Sequence, residues 1–245
     1  MDFLYINIYK YMKTLILGDI HGRVIWDDII ASESPDRVIF LGDYVSTHEN
    51  ISSEQQLYNL DDILTYKENS IKEVILLRGN HDMQHLGYSW AQCSGYDKNV
   101  CKYMIETKNR FLNNSQWIYI DEELKTVFSH AGISQIWMTN SGISDIHEIN
   151  NLTPSELFGF IPSDIFDNCG YSKTQPPTWI RPITLSTCNI IGWDQVVGHT
   201  PVKKITNIKE STKNKQNIWL CDALQYNEYL IIENGKFSPK KYKTF

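Results

Sequence analysis

Leu15-Ile16-Leu17-Gly18-Asp19-Ile20-His21-Gly22 runs from an aliphatic stretch straight into two potential ligands set between glycines. A short apolar run closed by glycine reads as a buried strand. If the chain stays extended through His21, alternation puts Asp19 and His21 on one side of it, where both can reach the same ion. Gly18 and Gly22 would then remove the side chains that crowd that ion. The arrangement returns in Phe40-Leu41-Gly42-Asp43, in Leu77-Arg78-Gly79-Asn80-His81-Asp82 and in Val196-Val197-Gly198-His199-Thr200. A variant, Val127-Phe128-Ser129-His130-Ala131-Gly132, places its histidine directly after the run.

Between these blocks the chain alternates strand and helix. Val24 to Ser32 shows Val24, Ile25, Asp28 and Ile29 on one helical face and stops at Ser34-Pro35, and Arg37 to Leu41 reads as a buried strand. This strand-helix-strand order predicts a βαβ unit with parallel strands, whose loops carry ligands at the carboxyl ends. Ser52 and Gln55 form a capping box for a helix from about Ser53 to Lys67, and Val74 to Leu77 is the next strand. A helix is expected over 97–113 and a strand over 124–129. The stretch 133–183 is irregular, with a helix start at Thr153-Pro154-Ser155-Glu156, and is the expected substrate-facing insert. Ile218 to Cys221 and Tyr229 to Ile232, with the turn at Asn234-Gly235, suggest a closing antiparallel pair.

The 245 residues, with motifs from end to end, favour a single domain, and Met1 to Tyr11, ahead of Met12, reads as either an extension of the sheet edge or a dispensable segment. A net charge of -6 argues against sequence-independent nucleic-acid binding. Five widely spaced cysteines without a Cys-x-x-Cys point to reduced thiols and a cytoplasmic location. No apolar run is long enough to span a membrane.

Taken together, the five blocks resemble the calcineurin-like metallophosphoesterases, in the branch that holds bacterial and phage serine/threonine protein phosphatases and symmetrical diadenosine tetraphosphatases. The blocks occur in that branch's order from Asp19 to His199. The resemblance implies an α/β fold, a four-layer αββα sandwich of two mixed sheets flanked by helices. It further implies two divalent metal ions, Mn foremost, with Fe or Zn as alternatives. Asp19, His21 and Asp43 would hold one ion, and Asp43, Asn80, His130 and His199 the other, with Asp43 as bridge. Two ions about 3.5 to 4 Å apart can supply a hydroxide at neutral pH and neutralise the phosphoryl oxygens. Mixed Asp, Asn and His ligation suits these metals.

His81 would then be the general acid at the leaving oxygen. The protein phosphatases hold this histidine with the second Asp of Gly-Asp-x-x-Asp-Arg-Gly, but here Ser46 and Thr47 replace that Asp and the phosphate-binding Arg. Arg181, in a Trp-x-Arg-Pro element with Trp179 and Pro182, and Arg23, just beyond His21, are the candidates to grip phosphate. Arg78 reads as structural. His48, His85 and His147 match no ligand position, and His147 reads as a solvated or capping imidazole. Asp82 and Asp222 are open to two readings each, as support for the site or as turn residues. The expected activity is phosphomonoester hydrolysis on phosphoprotein. Hydrolysis of dinucleoside polyphosphates and a metal-binding scaffold without turnover are the rivals.

Overall fold

The computed structural model describes residues 12–161, 169–209 and 216–243. The expected extension, Met1 to Tyr11, lies outside them. Strand β1 (Lys13–Leu17), helix α1 (Ile25–Glu33), strand β2 (Arg37–Phe40), helix α2 (Ser53–Asn69) and strand β3 (Glu73–Leu77) make two consecutive parallel βαβ units. Helix α2 starts on the predicted capping box, with Ser52 and Gln55 bonding each other's backbone. Helix α1 ends where Ser34 takes a left-handed turn ahead of Pro35.

Helices α3 (Asn80–His85), α4 (Lys98–Glu106) and α5 (Lys108–Asn114) lead to the short strand β4 (Ser115–Gln116). The single helix expected over 97–113 is broken at Thr107, whose hydroxyl and backbone N–H both donate to the Tyr103 carbonyl. Strands β5 (Ile118–Asp121) and β6 (Thr126–Ser129) follow, β6 starting two residues later than expected because Lys125 turns with φ +47°. Then come helix α6 (Gln135–Asn140), helix α7 (Pro182–Cys188) and strands β7 (Asp194–Val197), β8 (Thr206–Lys209), β9 (Asn217–Leu220), β10 (Glu228–Glu233) and β11 (Lys236–Lys241). The helix expected from Thr153 is instead one 3₁₀ turn, Glu156–Phe158. Phe158 there stacks on Trp117 and tilts against Trp137, so tertiary packing fixes the segment after a single turn.

One sheet has the order β11-β10-β1-β2-β3-β4 and the other β5-β6-β7-β9-β8. Both mix parallel and antiparallel pairs. Alternation along β1 sends Ile16 to one side and Leu15 and Leu17 to the other. Ile16, Ile39 and Ile75 meet Phe128 and Val196 of the second sheet, whereas Leu15, Leu17, Val38 and Phe40 pack against Trp26, Ile29, Leu60 and Ile63 of the helices. On the outer side of the second sheet, Val197, Ile218 and Leu220 are covered by Ile180, Leu185 and Cys188. The result is the expected helix-sheet-sheet-helix order. Pairing differs from expectation at the C-terminal end. The Asn234-Gly235 turn joins β10 to β11, while β9 belongs to the other sheet. Its apolar alternation fits either sheet, so pattern alone does not assign it.

Candidate metal centre

The motif residues meet where β1, β2 and β3 of the first sheet and β6 and β7 of the second end. Asp19 and His21 do converge, with His21 Nε2 3.8 Å from Asp19 Oδ2, but not by strand alternation. The strand stops at Leu17, and His21 sits in the left-handed region at φ +46°. Nor do the glycines clear space for an ion. A Cβ on Gly18 would lie 2.1 Å from the Cys221 carbonyl, and one on Gly198 would lie 2.2 Å from Asp19 Oδ1. They let neighbouring turns nest. Asp43, Ser46 and His199 also take positive φ, a cluster of strained non-glycine residues of the kind that functional sites collect.

Backbone N–H groups fix the carboxylates. His199 N donates to both Asp19 oxygens, at 2.9 and 3.1 Å, and His81 N donates to Asp43 Oδ1 at 3.0 Å. Asp82 accepts from the N–H groups of Asp43, Tyr44 and Gly79, at 2.9, 2.9 and 2.8 Å. Its carboxylate is therefore the clasp between the β2 and β3 turns. Arg78 is likewise tied into structure, donating to the Ser115 hydroxyl and to the carbonyls of Leu112 and Ser115.

The donor groups fall into two clusters that share Asp43. Asp19, His21 and Asp43 offer ligand atoms within 4.8 Å of one another, as do Asp43, His130 and His199. His21 Nδ1 donates to the Val45 carbonyl (3.1 Å) and His130 Nδ1 to the Leu41 carbonyl (2.9 Å), which orients the Nε2 of each ring into the cluster. Metal-bound histidines characteristically spend their second nitrogen in this way. His130 Nε2 lies 2.9 Å from Asn80 Oδ1 and 3.4 Å from Asp43 Oδ2, and Asn80 Oδ1 is also 3.2 Å from His199 Nδ1. His199 Nε2 is buried without a hydrogen-bond partner. Carboxylate, amide and imidazole groups converging in two clusters are what bound cations would satisfy, so these residues fit a metal pair.

Electrostatics point the same way. Asp19, Asp43, Asp82 and Asp222 are all buried in this region. Burial, and then the charge of Asp222, push Asp19 well above the usual carboxylate range. Burial and the Asp43 charge raise Asp82 to about 7 against the pull of its backbone donors. For Asp43 burial also acts upward, but the imidazoles of His130 and His81 outweigh it and the net shift is down. His130 is raised to about 10 because Asp43 and Asp19 overcome its desolvation. Burial and the neighbouring His130 and Arg181 hold His199 well below its ordinary value. The cluster thus calls for positive charge, which a metal ion supplies in place of a proton.

A cavity of about 470 Å³ opens over these groups, lined by Asp19, His21, Asp43, Asn80, His81 and His199. Burial lowers His81 to about 4 despite Asp43 beside it. Phe160, Trp179 and Arg181 reach the cavity from the 133–183 segment, whereas Trp137, Ile146 and Ile149 of that segment are core. The Arg181 guanidinium is braced by the carbonyls of Cys169 (2.7 Å) and His199 (3.2 Å) and by the Thr200 hydroxyl (3.0 Å). Arg23 is not brought there. Its Nε and Nη2 donate to Glu49, and its Nη1 lies 3.3 Å from the carbonyls of Asp19 and Ile20. His147 lies apart on the surface, between Asp145 and Glu122.

Six lining residues carry no signal in the sequence as site residues. His48 matches no ligand position, Gln92, Cys93 and Ser94 stand in a loop without periodicity, and Phe160 and Pro201 lie outside the motif blocks. Asp222, left open between two readings, lines the cavity as well.

The sequence model for the calcineurin-like phosphoesterase family matches residues 12–232. Symmetrical bis(5'-nucleosyl)-tetraphosphatases are similar over 161 residues at 24% identity: that of Klebsiella pneumoniae, with 61% of this chain and 53% of the relative covered, and that of Escherichia coli, with 61% and 54%. The chain spans about half the length of these curated relatives. Among solved structures, a protein serine/threonine phosphatase from Saccharomyces cerevisiae superposes with a TM-score of 0.58 at 12% identity, covering 98% of this chain and 82% of that one. A cold-active protein-tyrosine phosphatase from a Shewanella species gives 0.55 at 16% identity, covering 94% and 80%. At such identities these two establish the shared fold alone. With the family pattern matched across nearly the whole described fold, and with two donor clusters joined at Asp43, the chain belongs to the calcineurin-like phosphoesterases, a family of metal-dependent phosphoester hydrolases.

Proposed function

We propose that this protein hydrolyses phosphate monoesters, with phosphoprotein as substrate, at a pair of divalent ions. The carrying observation is that one carboxylate, Asp43, belongs to both donor clusters. Asp19 and His21 complete one ligand set with it, and Asn80, His130 and His199 complete the other. The hard and borderline donors, with no thiolate among them, suit Mn, Fe or Zn. When bound, such ions supply a nucleophile from water at neutral pH and neutralise the phosphoryl oxygens.

The protein's own groups do the rest. Arg181, braced by the backbone around His199, offers a planar cation to the phosphoryl group. His81 lines the same cavity and delivers a proton to the leaving oxygen, which departs with the P–O electron pair. Its low proton affinity here rises when a dianionic phosphoryl group enters beside it. The 133–183 segment faces substrate through Phe160, Trp179 and Arg181. We read the chain as one domain and place it in the cytoplasm, to which five widely spaced cysteines without a Cys-x-x-Cys are suited. No helix among the described residues is long and apolar enough to cross a membrane.

A second reading, hydrolysis of a dinucleoside polyphosphate, is favoured by the tetraphosphatase relatives. The scaffold reading is weakened by the completeness of both ligand sets. Turnover of a phosphopeptide, p-nitrophenyl phosphate and diadenosine tetraphosphate, compared side by side with Mn added, tests all three. The phosphopeptide is expected to have the highest kcat/KM. Preference for the tetraphosphate establishes the second reading, and metal binding without turnover establishes the scaffold.

A further inference from the structure

The position where the related protein phosphatases carry the aspartate that holds the acid histidine is Ser46, and Ser46 does not reach His81. At φ +70° its hydroxyl donates to the Gly95 carbonyl at 2.9 Å, and its N–H donates to Gln56 Oε1 at 2.8 Å. What touches His81 Nδ1 is Cys93, with Sγ 3.5 Å away. That distance is within reach of a hydrogen bond to sulfur, and Cys93 also borders the cavity.

The thiol is held there from two sides. Gln84 Oε1 accepts from Cys93 N at 2.6 Å, and Gln84 Nε2 lies 3.4 Å from the Ser94 carbonyl. Gln84 stands on α3, the same short helix as His81, so imidazole and thiol share one anchor. The Ser46 bond to Gly95 pins the next residue of the loop. The rest of His81 is already fixed, since its N–H donates to Asp43 and its carbonyl accepts from His85 Nδ1 at 2.8 Å. Only the ring needs a partner.

We propose that Cys93 is the positioning residue for His81, taking over from a different loop the orienting task that Ser46 cannot perform. Sγ accepts the Nδ1–H of the protonated ring, which leaves Nε2–H for the leaving group. As the Nε2–H bond breaks, that proton joins the leaving oxygen, which holds the electron pair of the broken P–O bond. The ring then regains a proton from water. A thiol in this place orients the ring without adding a carboxylate to a crowded acidic site.

The inference rests on the reading of His81 as general acid, and leaving-group dependence tests both separately. A general acid matters most for a poor leaving group such as phenol and least for p-nitrophenol. We expect Cys93→Ala to lower kcat on phenyl phosphate about tenfold or more, with less than about a twofold change on p-nitrophenyl phosphate. KM and metal content should hold, and Cys93→Ser should recover part of the loss. His81→Ala should show the same selectivity, more strongly. An equal fall on both esters in Cys93→Ala, or none on either, overturns the inference and leaves Cys93 as loop packing. An equal fall in His81→Ala overturns the general-acid reading, and the inference with it.

Discussion

At the carboxyl ends of β1, β2 and β3 the pocket is built from turns in which backbone N–H groups grip carboxylates. Another part of the lining comes from Phe160, Trp179 and Arg181, the last two in contact with His199. In the first wall main-chain groups place the Asp19 and Asp43 carboxylates and the His21 and His130 rings. In the second, ring packing places Phe160 and Trp179, and hydrogen bonds to the Cys169 and His199 carbonyls hold the Arg181 guanidinium. Asp19 shows the first principle: its two oxygens receive the His199 N–H, so two candidate donors 180 residues apart in sequence are joined directly. Trp179 shows the second, standing edge-on to both Phe160 and His199.

The sharpest way to break the comparison is Asp43→Asn. If the shared carboxylate organises the first wall, both ions are lost together with nearly all activity, while the fold survives. Elemental analysis beside circular dichroism decides it, and two ions retained at wild-type affinity would remove Asp43 as the bridge. Next, Arg181→Ala should cost about a hundredfold in kcat/KM, from ~3 kcal/mol for one charge-assisted donor to the phosphoryl group. Arg181→Lys should recover only part, because an ammonium lacks the planar fork. Arg23→Ala serves as the control. With its guanidinium bound to Glu49 it should change kcat/KM by less than about threefold, and a larger loss would return Arg23 to the phosphate clamp.

Gly198→Ala probes the nesting of the first wall. Its Cβ would meet Asp19 Oδ1 at 2.2 Å, and with backbone fixed on both sides we expect about 1 to 3 kcal/mol of lost stability. Weakened metal retention should accompany it, and a wild-type melting temperature would show that the turns can slide. The smallest effect lies far from the pocket. His147 is raised above its ordinary value by its hydrogen bonds to Asp145 and Glu122. Stabilisation from a raised histidine is present below its unfolded pKa and fades as pH rises through the folded one. Denaturant titrations should therefore find His147→Ala less stable than wild type only on the acid side, by under about 0.5 kcal/mol for so exposed a pair. An equal difference at all pH values would assign the effect to something other than the ion pair.

Much of the first wall was legible because it is local. The aliphatic runs of β1, β2 and β3, the capping box at Ser52 and the candidate donors at each strand end are written within a few residues of one another. The second wall was legible only through Trp179 and Arg181, and Phe160 gave no signal. Cys93 was hidden for a related reason. Its contact with His81 depends on Gln84 and Ser46 pinning a loop that has no periodic pattern of its own.

By itself, the sequence determined the strand-helix alternation, the identity of the clustered donors and the Asn234-Gly235 turn, since each depends on neighbours in the chain. Only the tertiary structure decided that β9 and β10 lie in different sheets and that α4 and α5 are two helices rather than one. It also decided that Asp19 and His21 converge through a left-handed turn, that Arg23 faces Glu49 and that Cys93 meets His81. The physical reason is common to all of these. A two-residue alternation records which side of a strand is apolar but not which partner covers it, and a side chain's direction follows from hydrogen bonds to residues remote in sequence.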